Sequence, residues 1–127
     1  MKRVLIVDDS TVLQKVLRVY LAGLECEFHI ASSGREALET ARRVRPDIII
    51  SDIYMPDGSG IELCRTIRAT ASLRRVPVLL ISAHNDPMTR QQVAQSGAEA
   101  FLTKPIDSQR LFELVSQLLQ PAAARTA

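Results

Sequence analysis

Five polar residues in this sequence each follow a short apolar run, and together they could perform one kind of chemistry. They are Asp8, Asp9, Asp52, Ser82 and Lys104. Carboxylates that lie close together repel, so they either raise one another's pKa or bind a cation. Oxygen ligands without Cys or His favour a hard divalent ion such as Mg²⁺. An ammonium group and a hydroxyl beside that ion would suit the charge of a phosphoryl group in transfer.

Asp52 is the strongest candidate for the reacting group. It ends the run Ile48–Asp52, whose β-branched apolar residues are typical of a strand buried on both faces of a parallel sheet. A charge at the end of a buried strand is unfavourable unless it reaches solvent, a cation or a reaction partner. A carboxylate in that position could act as a nucleophile and form an aspartyl phosphate.

The remaining pattern predicts strands and helices that alternate along the chain. The predicted strands are Val4–Val7, Glu27–Ala31, Ile48–Asp52, Val76–Ile81 and Ala100–Leu102, each followed by a helix. Parallel strands joined by right-handed helical crossovers form an α/β, flavodoxin-like three-layer sandwich with five helices. Because the second strand alternates polar and apolar residues, as an edge strand does, we expect a five-stranded parallel sheet of order 2-1-3-4-5.

Two of the predicted helices differ in their apolar residues. The last helix has a regular stripe at Leu111, Leu114, Val115, Leu118 and Leu119. The fourth helix, over 87–96, has few apolar residues, and Met88, Val93 and Ala94 supply nearly all of its inward face. With few buried contacts this helix should have low local stability, and moving elements are drawn from such segments.

Composition limits the class of protein. The chain has 127 residues, enough for one domain, and its 46% hydrophobic and 24% charged residues are ordinary for a globular protein. The net charge of +2 is too small to indicate nucleic-acid binding. Cys26 and Cys64 lack metal-ligand spacing and are interpreted as reduced, packed thiols. Because the first apolar run stops at Asp8 and no run could span a membrane, we expect a cytoplasmic protein without direct nucleic-acid or membrane contacts.

Each of the five polar residues also has a structural interpretation. Asp8 or Asp9 alone is more often a helix N-cap. A strand-terminal Ser is usually a turn residue, and a Lys before Pro is usually a surface residue. In an open α/β sheet, however, ligands bind beyond the carboxyl ends of the strands, near the switch point between the first and third strands. All five residues converge on that edge, which favours the functional interpretation.

Four motifs, in the same order, resemble the receiver domain of bacterial two-component response regulators. They are Val7-Asp8-Asp9-Ser10, Ser51-Asp52-Ile53-Tyr54-Met55-Pro56 with Gly60, Ile81-Ser82-Ala83 and Phe101-Leu102-Thr103-Lys104-Pro105. The resemblance covers about residues 1–120, which would form one receiver domain, with 121–127 as a C-terminal tail or the start of a linker. It implies a signalling phosphoacceptor that assists its own phosphorylation and dephosphorylation, and not an enzyme.

The resemblance implies how the acidic residues would work. Asp52 would accept a phosphoryl group from a histidine kinase or a histidine phosphotransfer protein, and Lys104 would pair with that group. Asp9, Asp52 and the main-chain carbonyl of Tyr54 would hold Mg²⁺ directly, and Asp8 would assist through water.

The resemblance also implies a switch. Ser82 would move to bond the phosphoryl group, and Phe101 stands at the position of the family's switch aromatic. The Lys104–Pro105 peptide bond is often cis in the family. The fourth helix, fifth strand and fifth helix would form the output surface, for a downstream protein effector or for an effector domain in a longer chain. The protein would be a monomer or a phosphorylation-dependent dimer.

Tyr54 and His84 lie at positions where the family varies. They stand two residues after Asp52 and two residues after Ser82. Both would border the path of water that attacks the acyl phosphate, and our hypothesis is that their bulk slows autodephosphorylation. The alternative is that they are solvent-facing loop residues without a kinetic role.

Three other classes of protein could use parts of this pattern. A phosphatase with an Asp nucleophile would require a second Asp two residues after the first. In this chain that position holds Tyr54 after Asp52 and Ser10 after Asp8. A flavin- or nucleotide-binding module would place a Gly-, Ser- or Thr-rich loop after the first strand, where this chain has Asp8 and Asp9. A degenerate receiver that acts as a phosphorylation-independent docking module is the strongest non-catalytic alternative.

Overall fold

A five-stranded parallel sheet forms the centre of the molecule, in a computed structural model that describes residues 1–121. Its strands are β1 (Lys2–Val7), β2 (Cys26–Ala31), β3 (Ile48–Asp52), β4 (Val78–Ser82) and β5 (Ala100–Thr103). The spatial order is β2-β1-β3-β4-β5 and every neighbouring pair is parallel. The predicted α/β fold and strand order are therefore confirmed. The predicted tail over 121–127 falls, beyond Pro121, outside the described residues.

Five helices cover the sheet within residues 1–121, and the first four of them connect consecutive strands. They are α1 (Thr11–Tyr20), α2 (Gly34–Val44), α3 (Gly60–Ala69), α4 (Pro87–Ser96) and α5 (Ser108–Leu118). Each begins where a Ser or Asp side chain accepts a hydrogen bond from a main-chain N–H of the first turn, which satisfies a donor that has no partner within the helix. Within residues 1–121, none of the helices combines the length and the apolar character that a membrane span requires.

The sheet separates two apolar clusters, because successive residues of a strand point to opposite faces. On one face Leu5 and Ile49 pack with the buried residues of α2, α3 and α4. On the other face Ile6 and Ile50 pack with those of α1 and α5. All of β3 is buried, which places Asp52 at the end of the strand that both layers cover.

Helix α4 differs from its predicted inward face. Met88 is 68% exposed and Ala94 is exposed as well, so both residues were wrongly assigned to the core. The buried residues are Thr89, Val93 and Ser96, which lie on one face of the helix because they are separated by four and three positions. Two of these three are hydroxyl residues, whose burial requires hydrogen-bond partners.

Two further expectations concern single residues. Strand β4 begins at Val78 and not at Val76, because Pro77 has no N–H to donate to a neighbouring strand. Both cysteines are free; Cys64 is buried and Cys26 is half-buried. Burial raises the pKa of both thiols, as expected for packed and unreactive side chains.

Candidate functional site

Three carboxylates meet at the carboxyl edge of the sheet. Strands β1 and β3 are direct neighbours, with Val7 paired to Ser51, so the residues that end them lie side by side. Asp8, Asp9 and Asp52 each offer one carboxylate oxygen, and these three oxygens all lie within 4.8 Å of one another. Three oxygen donors without Cys or His are a donor set that suits Mg²⁺. The residues present therefore fit the metal that the sequence predicted.

Asp8 carries the electrostatic cost of this arrangement. It is 2% exposed, and burial is the largest cause that raises the pKa of its carboxyl above the ordinary value. The main-chain N–H of Ser10, which donates to Asp8 Oδ1 at 2.8 Å, opposes the rise, and the charges of Asp52 and Asp9 add to it. The repulsion among the carboxylates was predicted from the sequence. The structure adds a second cause, the burial of the Asp8 carboxyl away from water. A cation would favour the ionised form again.

The ammonium group of Lys104 lies beside the carboxylate of Asp52, the predicted nucleophile. Its Nζ lies 3.3 Å from Asp52 Oδ2, and the Asp52 side chain is only 8% exposed. The main-chain N–H of Lys104 donates to the carbonyl of Ser82 at 2.9 Å, which fixes the start of the loop that follows β5. The Lys104–Pro105 peptide bond is cis, as the resemblance implied.

Ser82 is fully buried at the end of β4. Its Oγ accepts a hydrogen bond from the main-chain N–H of His84 at 2.9 Å, so the hydroxyl holds the loop that leads into α4. Phe101 lies on the neighbouring strand β5, half-buried against the cluster of α2, α3 and α4. The two predicted switch residues therefore lie on adjacent strands.

Gly60 allows α3 to approach the nucleophile's backbone. A Cβ at this position would lie 2.3 Å from the main-chain oxygen of Asp52 and 3.0 Å from Ser51 Oγ. The N–H of Gly60 donates to the carbonyl of Ile53 at 2.9 Å. No side chain fits this approach, which explains why a glycine follows the Asp52 motif.

Tyr54 and His84 meet each other beside the site. Tyr54 begins a short hairpin that pairs Tyr54–Met55 with Gly58–Ser59. Its ring and that of His84 are edge to face, with centroids 4.8 Å apart. The Tyr54 hydroxyl lies 2.9 Å from Thr89 Oγ1 in α4, although the residue as a whole is 48% exposed. Tyr54 therefore connects the Asp52 loop with α4.

Sequence reasoning missed two residues, Gln14 and Thr89, that hold these groups in place. Gln14 Nε2 donates to the main-chain oxygen of Asp8 at 2.6 Å from within α1. Thr89 bonds both Tyr54 and Asp86, and the carboxylate of Asp86 also caps α4. The cap was recognisable from the Asp-Pro pair, but the contact of Thr89 with a residue 35 positions earlier has no local signal.

Known proteins resemble this chain along almost its whole length. Residues 4–116 match the family model described as the response regulator receiver domain. The response regulator PleD of Caulobacter vibrioides is 40% identical over 116 residues, which cover 91% of this chain and 26% of PleD. The polar-differentiation response regulator DivK of Brucella anthropi is 33% identical over 121 residues, which cover 95% of this chain and 98% of DivK.

A solved structure with the same architecture is the chemotaxis response regulator CheY4 of Vibrio cholerae. It superposes with a TM-score of 0.85 at 31% identity, over 93% of this chain and 98% of CheY4. The chain thus spans about a quarter of the length of PleD but nearly all of DivK and CheY4.

Proposed function

The chain belongs to the response regulator receiver family, and we propose on that basis that Asp52 is the phosphoacceptor of a two-component phosphorelay. Receiver domains are signalling modules and not classical enzymes. The observation that supports the proposal best is the convergence of the Asp8, Asp9 and Asp52 carboxylates with the Lys104 ammonium group at the end of a fully buried strand.

The phosphoryl group comes from a phosphohistidine of a histidine kinase or a histidine phosphotransfer protein. A carboxylate oxygen of Asp52 attacks the phosphorus, the P–N bond breaks, and its electron pair stays on the imidazole nitrogen of the donor. The product is an acyl phosphate on Asp52. Lys104, 3.3 Å from Asp52 Oδ2, is placed to exchange its contact with the carboxylate for one with the phosphoryl oxygens.

Mg²⁺ is the proposed cofactor of this transfer. Asp9, Asp52 and the main-chain carbonyl of Tyr54 would hold it directly, and Asp8 would assist through water. When bound, Mg²⁺ would neutralise negative charge on the transferring phosphoryl group. The raised pKa of Asp8, caused chiefly by burial, supports a site in which the ionised form of this one carboxyl is unfavourable until a cation is present.

The output is a shift between two conformations that both exist before phosphorylation. The hydroxyl of Ser82 turns from His84 to the phosphoryl group, and Phe101 moves inward. The surface formed by α4, β5 and α5 then changes its affinity for a downstream effector. The small number of apolar residues buried by α4 supports its place in this surface.

The partners are proteins. They are the phosphohistidine donor and either a separate effector or an effector domain in a longer chain, as the coverage of DivK and of PleD illustrates for the two cases. We propose a cytoplasmic location, which the two free thiols support, without direct contacts to nucleic acid or membrane. The protein is a monomer, or a dimer that forms on phosphorylation.

Tyr54 and His84 set the lifetime of the acyl phosphate in this proposal. During hydrolysis a water oxygen attacks the phosphorus and the bond between phosphorus and the Asp52 oxygen breaks, which returns the carboxylate and releases phosphate. The edge-to-face contact of the two rings supports a barrier beside the site. Tyr54→Ala and His84→Ala should accelerate the decay of phospho-Asp52, and unchanged decay rates in both variants would contradict this role.

Incubation with acetyl phosphate and Mg²⁺ tests the phosphoacceptor. We expect the intact mass to rise by one phosphoryl group, and the gain to disappear in Asp52→Asn or after chelation of the metal. Asp57→Asn, which changes an exposed Asp of the nearby hairpin, is the matched control and should keep the full gain. A mass gain that persists in Asp52→Asn would overturn the proposal.

The phosphorylation-independent docking module is the less favoured alternative. A degenerate receiver would lack part of the acceptor site, whereas this chain has three clustered carboxylates, a buried Ser and a paired Lys. Failure of acetyl phosphate to modify the native protein, together with unchanged effector binding by Asp52→Asn, would favour it.

A further inference from the structure

A chain of side-chain hydrogen bonds joins the Asp52 loop to the first turn of α4. The hydroxyl of Thr89 donates to Asp86 Oδ1 at 2.7 Å. Because that hydrogen is engaged and the ionised carboxylate can only accept, the 2.9 Å contact between Tyr54 and Thr89 has Tyr54 as its donor. The direction is therefore Tyr54 to Thr89 to Asp86, and the chain ends on a negative charge, which strengthens each bond along it.

A second set of contacts connects Ser82 with Tyr54 of the Asp52 loop. Ser82 Oγ accepts from the main-chain N–H of His84, and the ring of His84 lies against that of Tyr54. The residues between β4 and α4 are thus held at two points, by Ser82 at the start and by the Tyr54 hydrogen bond at the end. Ser82 ends the strand that neighbours β3, and Tyr54 lies two residues after Asp52.

These polar contacts matter because α4 has little else to hold it. Val93 is its single buried apolar side chain, while Thr89 is 1% exposed and Ser96 3% exposed. Apolar burial changes gradually as a helix slides, whereas a hydrogen bond requires a narrow range of distance and angle. A helix fixed mainly by hydrogen bonds can therefore change position in one step.

We propose that Thr89 is a positioning residue that, with Tyr54 and Asp86, forms a latch between the Asp52 loop and α4. The latch holds α4 in its unphosphorylated position. When the Ser82 hydroxyl turns to the phosphoryl group, the N–H of His84 loses its acceptor, the loop that carries Asp86 becomes free to move, and the bond from Tyr54 to Thr89 breaks. This inference rests on the proposed function and adds a residue that opposes the switch.

The latch has a consequence of definite sign. A contact present only in the unphosphorylated state weakens binding of anything that favours the other state, so its removal must tighten that binding. The probe is beryllofluoride with Mg²⁺, an analogue of the phosphoryl group, titrated against the full chain by calorimetry. Tyr54→Phe and Thr89→Val each remove one hydroxyl and keep the shape of the side chain. Each should lower the apparent Kd about fivefold, the worth of one neutral hydrogen bond.

The double variant separates a latch from two independent effects. If Tyr54 and Thr89 act through one bond, Tyr54→Phe with Thr89→Val should also show about a fivefold decrease of Kd, and not the product of about 25-fold. Ser96→Ala is the control, because Ser96 lies at the opposite end of α4 and bonds Val93 and Ala98 without contact to Tyr54. It should lower the melting temperature and leave the Kd within about twofold.

The outcomes distinguish the latch from the function on which it rests. Native protein that binds no beryllofluoride and gains no phosphoryl mass would overturn the proposed function and the latch together. Native binding with unchanged or weaker binding by the single variants would overturn the latch alone. A 25-fold effect in the double variant, or a fivefold effect in Ser96→Ala, would also overturn the latch, because the effect would then come from general loosening of α4.

Discussion

Helices α4 and α5 have nearly the same length and both begin at an Asp cap, yet different interactions hold them to the sheet. Helix α5 buries Leu111, Val115 and Leu118 in the cluster it shares with α1. Helix α4 buries Thr89, Val93 and Ser96, and its remaining anchors are hydrogen bonds at its two ends. Apolar burial is non-directional and tolerates small shifts, whereas hydrogen bonds have strict geometry. The first kind of anchor suits a fixed element, and the second suits one that adopts two positions.

The two ends of α4 are held by different parts of the molecule. At its start Thr89 contacts Tyr54 of the Asp52 loop. At its end the thiol of Cys64 donates to the carbonyl of Ser96 at 3.3 Å, and Arg68 Nε donates to the carbonyl of Gly97 at 3.0 Å. The two donors, Cys64 and Arg68, belong to α3. The end of α4 is therefore tied to α3, while its start is tied to the loop whose chemistry is proposed to change.

Core truncation should separate the two helices most strongly. Leu111→Ala removes a fully buried side chain of α5 and should lower the free energy of unfolding by about 3 kcal/mol, from lost burial and the cavity left behind. Val93→Ala in α4 removes a smaller side chain at 9% exposure and should cost about 1.5 kcal/mol. Urea denaturation followed by circular dichroism measures both values. Equal losses would show that α4 relies on apolar burial as much as α5 does.

Loss of Arg68 should have the next largest effect. Its guanidinium donates to the carbonyls of Gly97 and Val76, at 3.0 and 2.7 Å, and pairs with Glu99. Arg68→Met keeps most of the apolar stem and should lower the free energy of unfolding by about 2 kcal/mol, because several acceptors lose their donor. Arg65→Met, an exposed position of the same helix, is the control and should change it by less than about 0.5 kcal/mol. Similar losses in the two variants would contradict the importance of the anchor at the end of α4.

Much of this comparison could be predicted from the sequence. The periodic leucines of α5 identify its buried face, and the small number of apolar residues over 87–96 indicates a weakly packed helix. Of the residues that α4 buries, Val93 was predicted correctly, whereas Thr89 and Ser96 were not, because hydrophobicity favours Met88 and the structure buries Thr89. A hydroxyl group is buried only where it has a hydrogen-bond partner. The partner of Thr89 is Tyr54, which lies 35 positions earlier in the chain and is brought beside Thr89 by the fold.

The acidic edge shows the same division. Short apolar runs that end in Asp8, Asp9 and Asp52 are visible in the sequence, and the strand order brings their ends together. Gln14 could not be predicted, because its side chain donates to the main-chain oxygen of Asp8 and nothing in the local sequence indicates that contact. Gly60 belongs to the predicted motif, but the close approach of α3 to the main-chain oxygen of Asp52 is seen only in the structure.

Hydrogen exchange should resolve the two helices without substitution. Amides of α4 should exchange through local opening, with an opening free energy at least about 1 kcal/mol below that of α5, whose amides should exchange only with larger unfolding. Addition of beryllofluoride and Mg²⁺ should change the exchange of 87–96 more than that of 108–118. Slow exchange throughout 87–96, alike with and without the analogue, would contradict the assignment of α4 as the mobile element.

The capping residues offer the smallest and most specific test. The hydroxyl of Thr89, followed by the main-chain N–H of Asp86 itself, lowers the pKa of the Asp86 carboxyl from its ordinary value of 3.8. A carboxyl whose pKa is lower in the folded state stabilises that state above its unfolded pKa, and the effect is lost as the pH falls through the folded pKa. The charge of Asp86 should therefore stabilise α4 at pH 5 and contribute progressively less below pH 3.8.

Asp86→Asn isolates this charge, because asparagine keeps the capping oxygen. The native protein should be more stable than Asp86→Asn at pH 5, and the difference between their urea midpoints should shrink as the pH falls below 3.8. Since Asp86 is fully exposed, the difference will be small. It should shrink further in a Thr89→Val background, because the Thr89 hydroxyl is the largest cause of the pKa shift. The proposal would be contradicted if the difference between the urea midpoints grew on acidification, or if it were the same with and without the Thr89 hydroxyl. In either case α4 would begin with an ordinary cap like that of α5, without a charged connection to the Asp52 loop.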